Sequence, residues 1–340
     1  MNVVILNVKA PGRRPQAPAE ARGLGPEAFT SSGWHTDELT RALSERGHTA
    51  VVVPYEAVVA RLRSASAHHA GELSSEGISL LDADAVLARI VPKGSLEQII
   101  YRVDALHWLE ERGVLVVNSP RAVERCVDKF YTDTLMREAG LPTPDTVVCE
   151  RMADAMTAVR DMGDVVIKPI FGSLGHGMVR VSDPDVALRV LQALDEVRAV
   201  FYVQRAIDHG GRDVRVFVVG GRVIGAIERV APAGEWRTNV ARGAQTRACD
   251  LPPAWADMAL RAAAAVSADY AGIDLLPARD GSVYVLEVNG IPGWQGLQRA
   301  TGVDVAGAIV DHAIARVRTT RVERVGPTLS GPPHNAELRT

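Results

Sequence analysis

Cysteine is scarce in this chain: Cys126, Cys149 and Cys249 are the only three in 340 residues, and no two form a C-x-x-C pair. An odd, scattered set excludes a disulfide framework and a zinc knuckle and points to a reducing compartment. No apolar stretch approaches the roughly 18 residues that a membrane helix needs. Neither sign of charge dominates: 38 Lys and Arg against 41 Asp and Glu leave a net charge of −3, so there is no basic field for nucleic acid. No G-x-G-x-x-G follows the first apolar segment, which argues against a dinucleotide oxidoreductase. Met1–Val8 has no basic region before it and no small-residue cleavage site, so it reads as a buried strand and not a signal peptide. A cytoplasmic homo-oligomer without membrane or nucleic-acid partners is expected.

What the chain does have is alternation. Strands are expected at Val3–Asn7, Thr49–Val53, Ala83–Ala88 and Val114–Val117. Between them lie helices at Trp34–Arg46, capped by Ser31 or Ser32 and stopped by Gly47, and at Leu96–Glu111, stopped by Gly113. This predicts a parallel, doubly wound α/β domain over residues 1–120. The stretch Ala10–Pro26, rich in Pro, Gly and Ala, reads as a mobile loop. After a helix at Lys129–Glu138 the pattern becomes α+β. Short strands are expected at Asp164–Pro169, Met178–Val181, Phe201–Gln204, Val214–Val219 and Arg222–Arg229, then a helix Ala254–Ala268 and a hairpin Ile273–Val288. Two lobes, 121–205 and 206–317, are expected to close on a ligand. The polar, Pro- and Gly-bearing residues 318–340 read as a disordered tail.

The last hairpin carries the strongest signal. Asp280-Gly281 suits a two-residue turn. Pairing outward from it sets Asp274 opposite Glu287, about 5 Å apart, with Asn289 two residues along the same face. Facing carboxylates in an apolar hairpin repel unless a cation joins them, and an all-oxygen donor set suits Mg²⁺. The alternative is a slipped register with one acid at an exposed strand end. Replacing either acid is expected to abolish activity and leave the fold intact.

The segment VVIKPIFGSLGHGMVRV sets Lys168 on a strand that enters a loop with Gly172, Gly175 and Gly177. Glycines there let backbone N–H groups wrap a polyphosphate, although a flexible hairpin tip accounts for them equally. The order is wrong for a Walker A loop, in which lysine follows the glycines. Alone, Lys129 at a helix start reads as solvated, and His176 as an exposed loop histidine. A cationic cluster follows: Arg215, Arg229, Arg237, Asn239 and Arg242, with Gly220-Gly221 turning the strands of Arg215 and Arg229 together. Guanidinium forks suit carboxylate and phosphoryl oxygens. The same residues also read as surface arginines.

Taken in order, Lys129, Lys168-Pro169, GSLGHGM, VQRAI, DVRVFVVGGRVIGAIERV, WRTNVARGA, AGIDLL and LEVNGIPGWQGLQ resemble the ATP-grasp superfamily, and within it the RimK-like α-L-glutamate ligases, over about residues 86–316. The resemblance implies a pre-ATP-grasp α/β domain followed by a two-lobed ATP-grasp fold. It implies that Lys129 and Lys168 meet the α- and β-phosphates of ATP and that Gly172, Ser173, Gly175, His176 and Gly177 close over the triphosphate. Gln204, Arg205, Ala206 and Ile207 would read adenine through the backbone, and Asp208 the ribose. Arg205 departs from the pattern, which usually has an acid there. Asp274, Glu287 and Asn289 would hold two Mg²⁺ ions, with Mn²⁺ as a substitute, while Arg215, Arg229, Arg237 and Asn239 face the reacting groups. The implied reaction phosphorylates a carboxylate, which an amine such as L-glutamate then attacks, releasing ADP and phosphate. Trp294, after the Pro-Gly, looks nearer to the pterin-type members. A carrier-protein ligase of lysine or arginine synthesis and a non-catalytic ATP-binding module are the alternatives.

Overall fold

A computed structural model of the chain describes residues 1–8, 32–62, 71–172 and 175–324. After β1 (Asn2–Asn7) come residues 9–31, which are not among the described residues, then α1 (Ser32–Glu45) and β2 (Thr49–Pro54). A small antiparallel sheet follows, β3 (Val58–Leu62), β4 (Gly71–Ser75) and β5 (Ile78–Ser79), which the sequence pattern leaves unassigned. The chain returns as β6 (Ala85–Ala88), α2 (Leu96–Glu111) and β7 (Leu115–Val117). Parallel pairing gives the order β2-β1-β6-β7, the doubly wound sheet expected. β6 and β7 are buried throughout, as the apolar runs of a sheet covered on both faces require. α2 starts where it should because Ser95 and Gln98 form a reciprocal capping box. The loop expected at Ala10–Pro26 and the cap at Ser31 lie outside the described residues.

α3 (Pro120–Val127) and α4 (Lys129–Glu138) lead into an antiparallel sheet of order β10-β9-β11-β8. Its members are β8 (Thr146–Cys149), β9 (Val165–Lys168), β10 (Val179–Val181) and β11 (Phe201–Arg205), with α5 (Met152–Met162) and α6 (Pro184–Glu196) packed on it through one apolar cluster. A third sheet, order β14-β13-β12-β15-β16, holds β12 (Arg212–Val219), β13 (Arg222–Val230), β14 (Gln245–Ala248), β15 (Tyr270–Pro277) and β16 (Val283–Asn289). α7 (Pro253–Ala265) lies between β14 and β15 in sequence, and α8 (Gln295–Thr301) and α9 (Val305–Arg324) close the described chain.

α9 corrects one expectation, since it runs to Arg324 through residues expected to be tail. Val305, Ile309, Ala313 and Val317 bury one stripe against α1 and the first sheet. Arg46, just after α1, pairs with Asp311 at 2.6 Å. Once nucleated, a helix adds one hydrogen bond per residue, and no proline interrupts before Pro327. Residues 325–340 lie outside the described residues.

That same cluster joins the first sheet to the third: Leu87 and Val117 share it with Phe217, Tyr270 and Trp294. Trp294 is fully buried. It packs edge-on against His35 at 4.6 Å between ring centroids, and it therefore presents no surface to an acceptor.

Candidate active site

A cleft of about 1240 Å³, open to solvent, runs between the second and third sheets. Its walls carry Lys129, Lys168, Gly172, Gly175, His176, Gln204, Arg205, Ala206, Ile207, Arg229, Arg237, Asn239, Asp274 and Glu287. Most of the residues singled out in the sequence thus meet in one place, although they come from stretches about 160 residues apart.

On the third sheet Asp274 faces Glu287, as expected, but by a different route. The turn is longer than two residues: Pro277 pairs with Val283, and the Ala278 N–H donates to Ser282 O at 2.9 Å. A bulge at Leu286 then adds back the residue that the longer turn removed, because Leu275 pairs with Val285 and Asp274 with Glu287. A second bulge acts in the β12–β13 hairpin, beyond its Gly220-Gly221 turn. It shifts the register between Phe217 and Val218 and brings Arg229, rather than Glu228, opposite Asp213.

The consequence is a buried ion network. Arg215 donates to both oxygens of Asp274 at 2.7 Å. Arg229, 3% exposed, donates to Asp274 at 2.9 Å and to Asp213 at 2.7 and 2.5 Å. Thr238 also donates to Asp213. Burial alone would raise the Asp274 carboxyl, but Arg215 and Arg229 outweigh it and hold it below the usual range. Burial likewise opposes the Arg229 charge, and Asp274 and Asp213 overcome it. Asp213 and Thr238 were not foreseen. An acid two residues before Arg215 in DVRVF shares its strand face, and that spacing was the available signal.

On the opposite wall Lys168 is 7% exposed and donates to Gln204 Oε1 at 2.5 Å. Gln204 is held in turn by its own donation to Thr146 at 3.0 Å. Lys129 sits at the first position of α4 because the Asp128 side chain caps that helix. From there Lys129 donates to Ile170 O at 3.3 Å and Gly172 O at 2.8 Å. Arg242 donates to Gly175 O at 3.0 Å, so the glycine loop is gripped from both sides. Gly175 has φ +69°, and a methyl placed there would come within 2.5 Å of Asn239 Oδ1; only glycine fits.

Residues 126–313 match the family described as the RimK-like ATP-grasp domain. A tetrahydromethanopterin:α-L-glutamate ligase of Methanosarcina acetivorans is 34% identical over 306 residues, spanning 82% of this chain and 94% of that protein. The chain belongs to the RimK-like ATP-grasp family. A probable α-L-glutamate ligase of Trichodesmium erythraeum is also 34% identical, over 82% of this chain and 91% of its own length. The solved structure of the ATP-grasp ligase PsnB with minimal precursor, Mg and ADP superposes with a TM-score of 0.66 at 22% identity, covering 93% of this chain and 98% of that one. That likeness bears out the ATP-grasp fold expected from the motifs. This RimK-like protein is an ATP-dependent carboxylate–amine ligase. No described helix is long and apolar enough to cross a membrane.

Not every expected residue reaches the cleft of this ligase. Asp208 is exposed, between Ile207 and His209 of the cleft wall, and accepts from Arg279 at 3.1 Å. Arg205 lines the cleft, yet its guanidinium is tied to Asp145 at 3.0 Å and to Met162 O. Arg237 is paired with Glu235 at 2.7 Å. Arg215, Gly177 and Asn289 lie off the cleft wall, and Ser173 lies outside the described residues.

The donor set suits an oxygen-seeking cation. Among the described residues no three His, Cys, Asp or Glu side chains gather into a group that could hold a metal ion. Asp274, Glu287 and Asn289 offer two carboxylates and a carboxamide, with Glu287 free of any ion pair among the described residues. The Asn289 amide N–H is spent on Gly272 O at 3.4 Å, which keeps its oxygen for a ligand. A carboxylate has about four lone-pair positions, and three of those on Asp274 are taken by arginine N–H groups. One remains.

A pH dependence follows from Lys168. Burial lowers its pKa from 10.5 to about 8, with Glu287 opposing the shift and Lys129 adding to it. Phosphates favour the charged ammonium, so nucleotide binding raises that pKa. The free protein therefore holds neutral Lys168 above about pH 8, and binding there takes up a proton. Calorimetry with a non-hydrolysable ATP analogue at about pH 9, in buffers of different ionisation enthalpy, is expected to show this uptake and a weakening affinity as pH rises. Lys168→Arg is expected to abolish the uptake.

Proposed function

We propose that this ligase adds L-glutamate to a carboxylate acceptor through an acyl phosphate, releasing ADP and phosphate. The observation that carries this reading is the convergence, across one cleft, of Lys168, Lys129 and the glycine loop with Glu287 and Asp274. Relatives named α-L-glutamate ligase support the choice of amino acid. The relative named for tetrahydromethanopterin supports a pterin-type acceptor.

In this reading Lys168 and Lys129 neutralise the phosphates, and Gly172 to Gly177 exclude water from the acyl phosphate, which would otherwise hydrolyse. Backbone groups of Gln204 to Ile207 take adenine, and Asp208 reaches the ribose. Asp274, Glu287 and Asn289 hold Mg²⁺, one or two ions, with Mn²⁺ as a substitute. The cation held by these residues would supply positive charge to offset that of the phosphoryl group in transfer. Arg229, Arg237 and Asn239 stabilise the acyl phosphate and the oxyanion formed on amine attack. No enzyme nucleophile is needed; burial pushes the Cys126 thiol, on the cleft wall, up to about 12.

The test is the fate of the acceptor oxygen. With oxygen-18 in the acceptor carboxylate, one labelled oxygen is expected in inorganic phosphate, because the C–O bond breaks when the amine displaces phosphate. Label in AMP would replace this mechanism with adenylation.

A further inference from the structure

Arg89 lies outside the cleft just described and has no task there. It follows β6 directly and is 3% exposed. A guanidinium carries five N–H donors and is costly to bury without an opposite charge. Arg89 donates to two neutral oxygens, Tyr270 Oη at 3.1 Å and Pro292 O at 3.4 Å. Among the described residues it has no carboxylate partner. Its guanidinium stacks 4.6 Å over the Trp294 ring, and Trp294 Nε1 is a buried donor with no acceptor. Two buried donor groups short of an acceptor thus share one stack.

Position adds a second argument. Ligands of open parallel sheets collect outside the carboxyl ends of the strands, where the strand order reverses. Here β1 connects through α1 to β2 on one side and has β6 on the other, so the reversal falls between β1 and β6. Arg89 stands at the carboxyl end of β6, and His35, in the first turn of α1, accepts from the Trp294 backbone N–H at 3.2 Å. Burial and then Arg89 lower the His35 pKa to about 4, so this histidine stays neutral and the Arg89 charge is the local one. The spot adjoins the reaction site: Pro292, whose carbonyl meets Arg89, packs on Gly272 beside Arg215, with a methyl on Gly272 3.0 Å from Pro292 Cβ and 3.7 Å from Arg215 Nε.

We propose that the place where the ends of β1 and β6, His35 and the Pro292–Trp294 loop meet is a carboxylate subsite, in which Arg89 holds a substrate carboxylate that does not react. The inference rests on the ligase reading above. Both substrates of such a reaction carry spare carboxylates, and the experiment separates them.

The protein, saturated with an ATP analogue and Mg²⁺, is titrated with L-glutamate and with N-acetyl-L-glutamate, which lacks a free amine. Arg89→Gln is expected to weaken one of them by about ten- to a hundredfold, the range for hydrogen bonds to a charged group, with analogue affinity kept within about twofold. Loss confined to L-glutamate assigns the subsite to the amine substrate. Loss of N-acetyl-L-glutamate assigns it to the acceptor. Arg89→Lys, which keeps the charge but not the fork, covers the case in which the glutamine variant fails to fold, and it is expected to lose about tenfold. Unchanged affinity for both probes in the variants overturns the subsite and leaves the ligase reading standing; so does equal weakening of the nucleotide analogue, which would make Arg89 a clamp between sheets. A wild-type protein that binds neither probe overturns the subsite together with the glutamate reading.

Discussion

Glu287→Gln is expected to keep the fold and nucleotide binding while lowering turnover by on the order of 10³-fold, a loss of several kcal/mol of transition-state stabilisation. The substitution is nearly isosteric and removes one charge. Glu287 is half-buried and forms no ion pair among the described residues, so no buried partner is stranded and stability should move by less than about 0.5 kcal/mol. The charge matters elsewhere. It opposes the burial that depresses both Lys168 and Lys129, and it faces Asp274, where a cation would neutralise the pair. Steady-state ADP release, read beside thermal melting, decides the matter. Turnover within about tenfold of wild type, less than 1.4 kcal/mol, would remove Glu287 from the metal set.

Local chemistry was readable in the sequence; registers set by irregularities were not. α2 is bounded as expected because its cap residues, Ser95 and Gln98, stand only three apart in sequence. Lys129 and Lys168 were placed on their elements for similar reasons. The pairing of Asp274 with Glu287 came out right through two compensating shifts, a longer turn and the bulge at Leu286. An uninterrupted ladder from Gly220-Gly221 would have set Asp213 against Glu228; the bulge sets it against Arg229. Nothing local in those residues marks the bulge, since it serves the network it creates. Trp294 is the complementary case: its motif position gave a resemblance but no layer, and the joint between the first and third sheets buries it completely.

The same network separates the two facing acids, which the sequence treated alike. Asp274→Asn is expected to damage the fold as well as turnover. It withdraws the carboxylate shared by Arg215 and Arg229, and leaves Arg229, 3% exposed, with Asp213 alone. Breaking a buried pair by removing one partner costs about 3–5 kcal/mol, which for a protein of this size lowers the melting midpoint by on the order of 10 °C. Acid should reproduce the loss in the wild type. The Asp274 carboxyl is held below its ordinary range by Arg215 and Arg229 against the opposing effect of burial. Its contribution is therefore present above the unfolded pKa of about 3.9 and disappears as pH falls through the lower folded value. Melting of wild type and Asp274→Asn is expected to differ widely at about pH 7 and to converge in acid below the unfolded pKa. Arg215→Met in the Asp274→Asn background should cost less than in the wild type, because the guanidinium it removes has already lost its partner. Equal costs in the two backgrounds, or an unshifted midpoint for Asp274→Asn, would mean that the arginines are not neutralised through this carboxylate, and Asp274 would then return to the role of metal ligand alone.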